Sequence, residues 1–109
     1  MHELALTETI IATVAERVEG ARVTRVVLHI GKLSGVVPEA LQFCFDVCAA
    51  GTALQGASLE IIEIPGRATC LSCQSEIELS DIIGLCSCGS ANLKMLSGNE
   101  LRVKEVEVL

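Results

Sequence analysis

Four cysteines occur as two close pairs, Cys70 and Cys73 in CLSC and Cys86 and Cys88 in CSCGS, with twelve residues between the pairs. Two short pairs joined by a spacer of hairpin length bring four thiolates around one tetrahedral ion, the pattern of a closed structural zinc site. Zinc is redox-inert and four cysteines leave no open position, so such a site holds structure rather than hydrolysing a substrate. Tetrahedral sulfur suits iron as well, which keeps a rubredoxin-like electron carrier open as a rival that colour would reveal. The second pair, C-x-C, is one residue shorter than the usual knuckle. It should tighten the turn and remove some backbone N–H support from the metal-bound sulfur.

The start of the chain, MHEL, offers a different chemistry. If nothing precedes Met1, its α-amine, the backbone nitrogen and imidazole of His2, and the backbone nitrogen of Glu3 can surround one ion in adjacent chelate rings. Four nitrogen donors in a plane favour Ni(II) or Cu(II), whereas zinc prefers a tetrahedron. A helix beginning at Glu3 leaves this possible, because the first N–H groups of a helix have no intrahelical partner. Against it stands the usual fraying of chain ends. Cys44 and Cys48, four apart on a helix, read as small buried hydrophobes rather than a two-point metal grip. His29 shares a strand side with Arg25 and reads as an exposed or edge histidine. No nucleophile–base pair suggests an enzyme.

These groups must be held by a chain of 109 residues, half of them hydrophobic, with Phe43 and Phe45 as the sole aromatics and a net charge of −6. Such a balance opposes nucleic-acid binding, which needs basic residues against phosphate and aromatic platforms for bases. No stretch reaches the ~18 apolar residues of a membrane span, and no basic, apolar leader opens the chain. We expect a cytoplasmic protein, where thiols stay reduced and paired cysteines are better read as metal ligands than as disulfides.

The expected fold is α/β (α+β): a three-stranded mixed sheet with two helices, plus an inserted zinc-ribbon-like metal module. Residues 3–18 read as an amphipathic helix with Ile11, Val14, Val18 and neighbouring Ile10 on one face, stopped at Gly20. A strand follows over 22–30, with Thr24, Val26, Leu28 and Ile30 alternating inward. Pro38 opens a second helix over 38–50, closed by Gly51 and burying Leu41, Cys44, Phe45 and Cys48. A strand over 58–64 is cut off by Pro65 and Gly66. A last strand over 100–108 slips phase between Val103 and Val106, predicting a bulge at Lys104 and Glu105. The interval between these last two strands lacks the large apolar residues for a core of its own and needs a metal to fold. The domains are therefore expected to be a nickel-binding α/β domain of 1–65 with 99–109, and an inserted four-cysteine zinc-binding domain over 66–98.

The ordered set MHEL, GKLSGVVPEALQFCFDV, GTALQGASLEIIEIPG, CGS and GNELRVKEVEV spans the chain and resembles the HypA/HybF family of hydrogenase maturation proteins. The resemblance implies a nickel metallochaperone that works with the maturation GTPase HypB and passes Ni(II) to the precursor of the [NiFe]-hydrogenase large subunit. Some relatives also serve urease. It further implies nickel bound by the Met1 amine, the His2 imidazole and backbone nitrogen and the Glu3 backbone nitrogen, with the Glu3 side chain nearby. Structural Zn(II) would sit on Cys70, Cys73, Cys86 and Cys88, in a monomer or homodimer. Two departures stand out: the family's second pair is ordinarily C-x-x-C, and VEGARV makes a short link from first helix to first strand. A zinc-ribbon interaction module without nickel transfer is the alternative from another class.

Overall fold

A computed structural model describes residues 2–109. Helix α1 (Glu3–Val18) leads to strand β1 (Val23–Gly31), helix α2 (Pro38–Ala49) and strand β2 (Ser58–Ile64). Three short strands follow, β3 (Gly66–Cys70), β4 (Glu76–Leu79) and β5 (Leu93–Ser97), before β6 (Leu101–Val108) closes the fold. The strands form two sheets in the orders β2-β1-β6 and β4-β3-β5. The molecule is elongated, 53 × 21 × 17 Å.

In the first sheet β1 pairs parallel with β2 and antiparallel with β6, which is the expected mixed sheet. Both helices supply its core: Ile11 and Val14 from α1 and Leu41, Phe45 and Ala49 from α2 meet Val26, Leu28 and Ile30 of β1. Burying that many aliphatic side chains is the main stabilising contribution, at ~1.5–3 kcal/mol for each fully buried one. Helix α1 also buries a polar residue, Thr7, whose hydroxyl donates to the Glu3 carbonyl at 2.7 Å and so needs no other partner. Its stop uses two left-handed residues, Glu19 (φ 50°) and Gly20 (φ 86°).

Three expectations need correction. Thr24 is exposed and Val23 is buried in its stead, because an irregularity between Val23 and Arg25 shifts the phase of β1. Cys44 and Cys48 are half-buried, and Ala49 takes the inward position at the end of α2. Gly66 does not end a pattern; only Pro65 interrupts, and Gly66 begins β3. The slip in the last strand is where it was expected: Val27 pairs with Glu105 and Leu28 with Val103, leaving Lys104 as the extra residue of a bulge.

The second face of the mixed sheet is uncovered by helices. There Arg25 bonds Glu60 on β2 and Glu107 on β6, with Glu105 nearby, tying all three strands. His29 lies on the same side of the central strand, half-buried rather than at an edge, and its Nδ1 accepts from the Arg102 guanidinium at 3.0 Å.

The two sheets meet where three glycines pack backbone to backbone. A Cβ on Gly31 would lie 1.9 Å from the Gly98 carbonyl oxygen, and one on Gly98 would lie 2.7 Å from the Gly66 Cα. Hydrogen bonds close the same point: Leu33 N–H to the Gly98 carbonyl (2.8 Å), Lys32 N–H to the Ile64 carbonyl (2.8 Å) and the Ser97 hydroxyl to the Pro65 carbonyl (2.9 Å). The loop after β1 therefore grips both passages of chain between the sheets. Gly31→Ala must push backbone from backbone, beyond the usual ~1–3 kcal/mol of overpacking. A thermal melt is expected to show Tm lowered by more than ~10 °C; an unchanged Tm would show that the passages separate freely.

Candidate metal centre

The cysteine site is built by the three-stranded sheet β4-β3-β5. Strand β3 ends at Cys70, and the turn after it brings Cys73 back, with the Gln74 N–H bonded to the Cys70 carbonyl at 2.7 Å. Cys86 and Cys88 come from the loop between β4 and β5. That loop is closed by Gly89 N–H to the Cys86 carbonyl (2.8 Å) and Cys86 N–H to the Ser90 carbonyl (2.9 Å), with Gly89 at φ 92°. The short C-x-C turn thus folds on backbone bonds of its own, at a position only glycine adopts cheaply.

All four sulfurs lie within 4.8 Å of one another. Cys70 Sγ is 3.6 Å from Cys88 Sγ, and Cys73 Sγ is 3.5 Å from Cys86 Sγ. Tetrahedral sulfurs at the zinc–sulfur bond length would stand ~3.8 Å apart, so the donor set fits an ion of that size and geometry. The two pairs interleave, each short contact joining a cysteine of one pair to a cysteine of the other. Cys70 and Cys86 are buried; Cys73 and Cys88 are exposed.

The electrostatics also ask for a cation. Backbone N–H groups of Cys73, at 3.4 Å, and of Ser72 pull the Cys70 thiol down to about 6. The Ser75 hydroxyl, 3.3 Å from its sulfur, lowers that of Cys73. Cys88 moves oppositely: the Ser90 N–H draws it down, but the adjoining Cys70 and Cys86 sulfurs outweigh that and push it up to about 12. Packed thiols resist joint ionisation, and a divalent ion at their centre removes that resistance.

The second sheet has little else inside it. Ala68, Cys70, Leu79 and Cys86 are its buried hydrophobic side chains, two of them ligand candidates. Cys44 and Cys48 take no part in the cluster. Burial pushes the Cys48 thiol up, as for an inert core cysteine.

At the other candidate site, Met1 lies outside the described residues. His2 is exposed and occupies the N-cap of α1, where its side chain makes no capping bond and its carbonyl accepts from Leu6 N–H at 3.0 Å. The Glu3 carboxylate turns away to α2, accepting the Val37 N–H at 3.1 Å. That bond, with a second backbone N–H of its own, holds the Glu3 carboxyl below its usual range. The side chain thus braces one helix start against the other, a partnership across 34 residues that no local pattern announces. Among the described residues, no helix is long and apolar enough to cross a membrane.

The family described as "Hydrogenase/urease nickel incorporation, metallochaperone, hypA" matches residues 1–108. The chain belongs to the HypA family. It is 54% identical to "Hydrogenase maturation factor HypA" of Trichormus variabilis over 108 residues, covering 99% of this chain and 96% of that one. The factor of the same name from Geobacter sulfurreducens is 44% identical over 109 residues, covering 99% of both. A solution structure of the Ni metallochaperone HypA from Helicobacter pylori aligns over 100% of this chain and 98% of its own, at 25% identity and a TM-score of 0.67. A second solution structure, of HypA protein, gives 0.70 at the same identity, covering 100% and 97%. The resemblance and the α+β fold expected from sequence are both borne out. The family is one of nickel-incorporation metallochaperones and its relatives are named hydrogenase maturation factors, which implies a role alongside maturation factors and a hydrogenase.

Proposed function

We propose that the protein binds Ni(II) at its N-terminus and delivers it, with the maturation GTPase HypB, to the precursor of the [NiFe]-hydrogenase large subunit. Urease maturation proteins are further candidate recipients. The observation that carries this is the state of His2: exposed, at the N-cap of α1, and with its side chain in no capping bond. The Met1 amine, the His2 imidazole and backbone nitrogen and the Glu3 backbone nitrogen form the donor set, the last being a helix-start N–H that needs no intrahelical partner. A cation at a helix N-terminus is opposed by the dipole. Loss of the two amide protons supplies two negative charges that offset it. The Glu3 carboxylate serves the helix junction with Val37 rather than the ion.

Cys70, Cys73, Cys86 and Cys88 hold structural Zn(II), and residues 66–98 fold around it as a domain inserted in the α/β domain of 1–65 and 99–109. With every zinc position taken by protein sulfur, the zinc performs no hydrolysis; the protein works as a carrier in the cytoplasm. Exposed Ile82, Ile83 and Leu85, on the loop leading to Cys86, favour a second role for this module in docking a protein.

The test is a Ni(II) titration of the zinc-loaded protein beginning at Met1, beside a version with three extra residues before it, which leaves His2 too far along the chain to share a planar chelate with the new amine. The native form is expected to bind one nickel with a yellow square-planar band, and the extended form to lose both. Equal binding by the two would place nickel elsewhere.

A further inference from the structure

We infer that Ser72 and Ser90 form a clasp that ties the two cysteine loops together and sets how fast the metal leaves them. The inference rests on zinc binding at the four cysteines. Ser72 lies between Cys70 and Cys73; Ser90 lies two residues beyond Cys88. Their hydroxyl oxygens are 2.8 Å apart, a hydrogen bond across 18 residues from one loop to the other. The Ser90 hydroxyl also accepts the Asn92 N–H at 3.1 Å, and the Asn92 carbonyl accepts Leu71 N–H at 2.9 Å. The bond therefore sits in a ring of contacts that runs from the first loop to the second and back. Polar groups linked this way reinforce one another.

The same serines sit among the ligands. Ser72 lies inside the turn from Cys70 to Cys73, and the Ser90 carbonyl accepts the Cys86 N–H at 2.9 Å. Clasping the two hydroxyls thus ties together the two loops that orient the metal ligands, and such outer contacts tune a metal site. The second loop needs this most. Its C-x-C turn is one residue short, and Ser90 supplies both its closing carbonyl and its link to the first loop. Ser87, between Cys86 and Cys88, is exposed and serves as the control position.

For the metal to leave, the loops must part and the clasp must open. Zinc-loaded wild type, Ser72→Ala, Ser90→Ala, the double variant, Ser72→Thr and Ser87→Ala would be mixed with excess chromophoric chelator and the zinc transfer rate followed. Removing one neutral hydrogen bond is expected to speed release about threefold to tenfold in either single alanine variant. The double variant should be no more than ~2-fold faster than Ser90→Ala, which already loses the shared bond together with the Asn92 N–H contact. Ser72→Thr keeps a hydroxyl and should restore the slow rate; Ser87→Ala should release as wild type does. Wild-type rates in both single alanine variants, or single effects that multiply in the double, would overturn the clasp while leaving the zinc site standing. A wild type that takes up no zinc overturns both.

Discussion

His2→Ala is expected to weaken Ni(II) binding by at least about a hundredfold while leaving zinc content, Tm and fold unchanged. In the proposed terminal set the imidazole is the only side-chain donor, and it would close a chelate ring onto an ion held by its neighbours. Removing a tethered donor forfeits its high effective concentration as well as its bond. The fold has little reason to notice. His2 is exposed at an N-cap without a side-chain capping bond, so alanine there forgoes none of the usual ~1 kcal/mol of a good cap. Competition titration for nickel, metal analysis for zinc and a melting curve separate these readouts. Nickel held as tightly by the variant as by wild type would sink the terminal site.

Cys70→Ser, or removal of zinc by a strong chelator, is expected to drop zinc from about one per chain to less than ~0.1 and unfold the β4-β3-β5 sheet. Zinc contributes on the order of 10–16 kcal/mol to folding in small zinc modules. Without it the segment keeps Ala68 and Leu79 as its buried hydrophobes besides the two buried cysteines, too few to offset the chain entropy of some 30 residues. The β2-β1-β6 sheet draws its core from α1 and α2 and should survive. Backbone amide NMR would show collapse of chemical-shift dispersion over 66–98 with the remaining resonances in place. Cys44→Ala should leave zinc content untouched. Retained dispersion over 66–98 without metal would show that the module folds on its own residues.

Elements with strong periodicity were readable without coordinates. Helices α1 and α2 and strands β1, β2 and β6 lie within a residue or two of their expected limits, and Lys104 bulges where two polar residues broke the alternation. The cysteine spacing foretold a four-sulfur cluster because spacing is itself a distance constraint. Strands β3, β4 and β5 escaped, being four or five residues each with turn chemistry between them and little alternation. Thr24 misled because the irregularity after Val23 moves it to the outer side, a shift set by pairing with β6. The Glu3–Val37 and Ser72–Ser90 bonds join residues 34 and 18 apart, and nothing local marks either partner. Cys44 and Cys48 lie at the margin of the inward face of α2, so residue type alone overstated their burial.

Because the chain enters the cysteine sheet at Gly66 and leaves it after β5 at Gly98, with Gly31 packed on Gly98, any rotation of one sheet against the other has its fulcrum at these glycines. Backbone packed on backbone has no rotamers to slip, so the fulcrum is stiff, and Leu33 wedges against Gly66 and Gly98 beside it. Val37, which grips Glu3, is four residues from Leu33, a chain reach of at most ~14 Å, so the start of α1 is tethered to the fulcrum. Cys70 closes the strand that leaves Gly66, out along the other arm. In a body 53 Å long, a small rotation about the glycines would swing the whole cysteine sheet against the layer of α1 and α2.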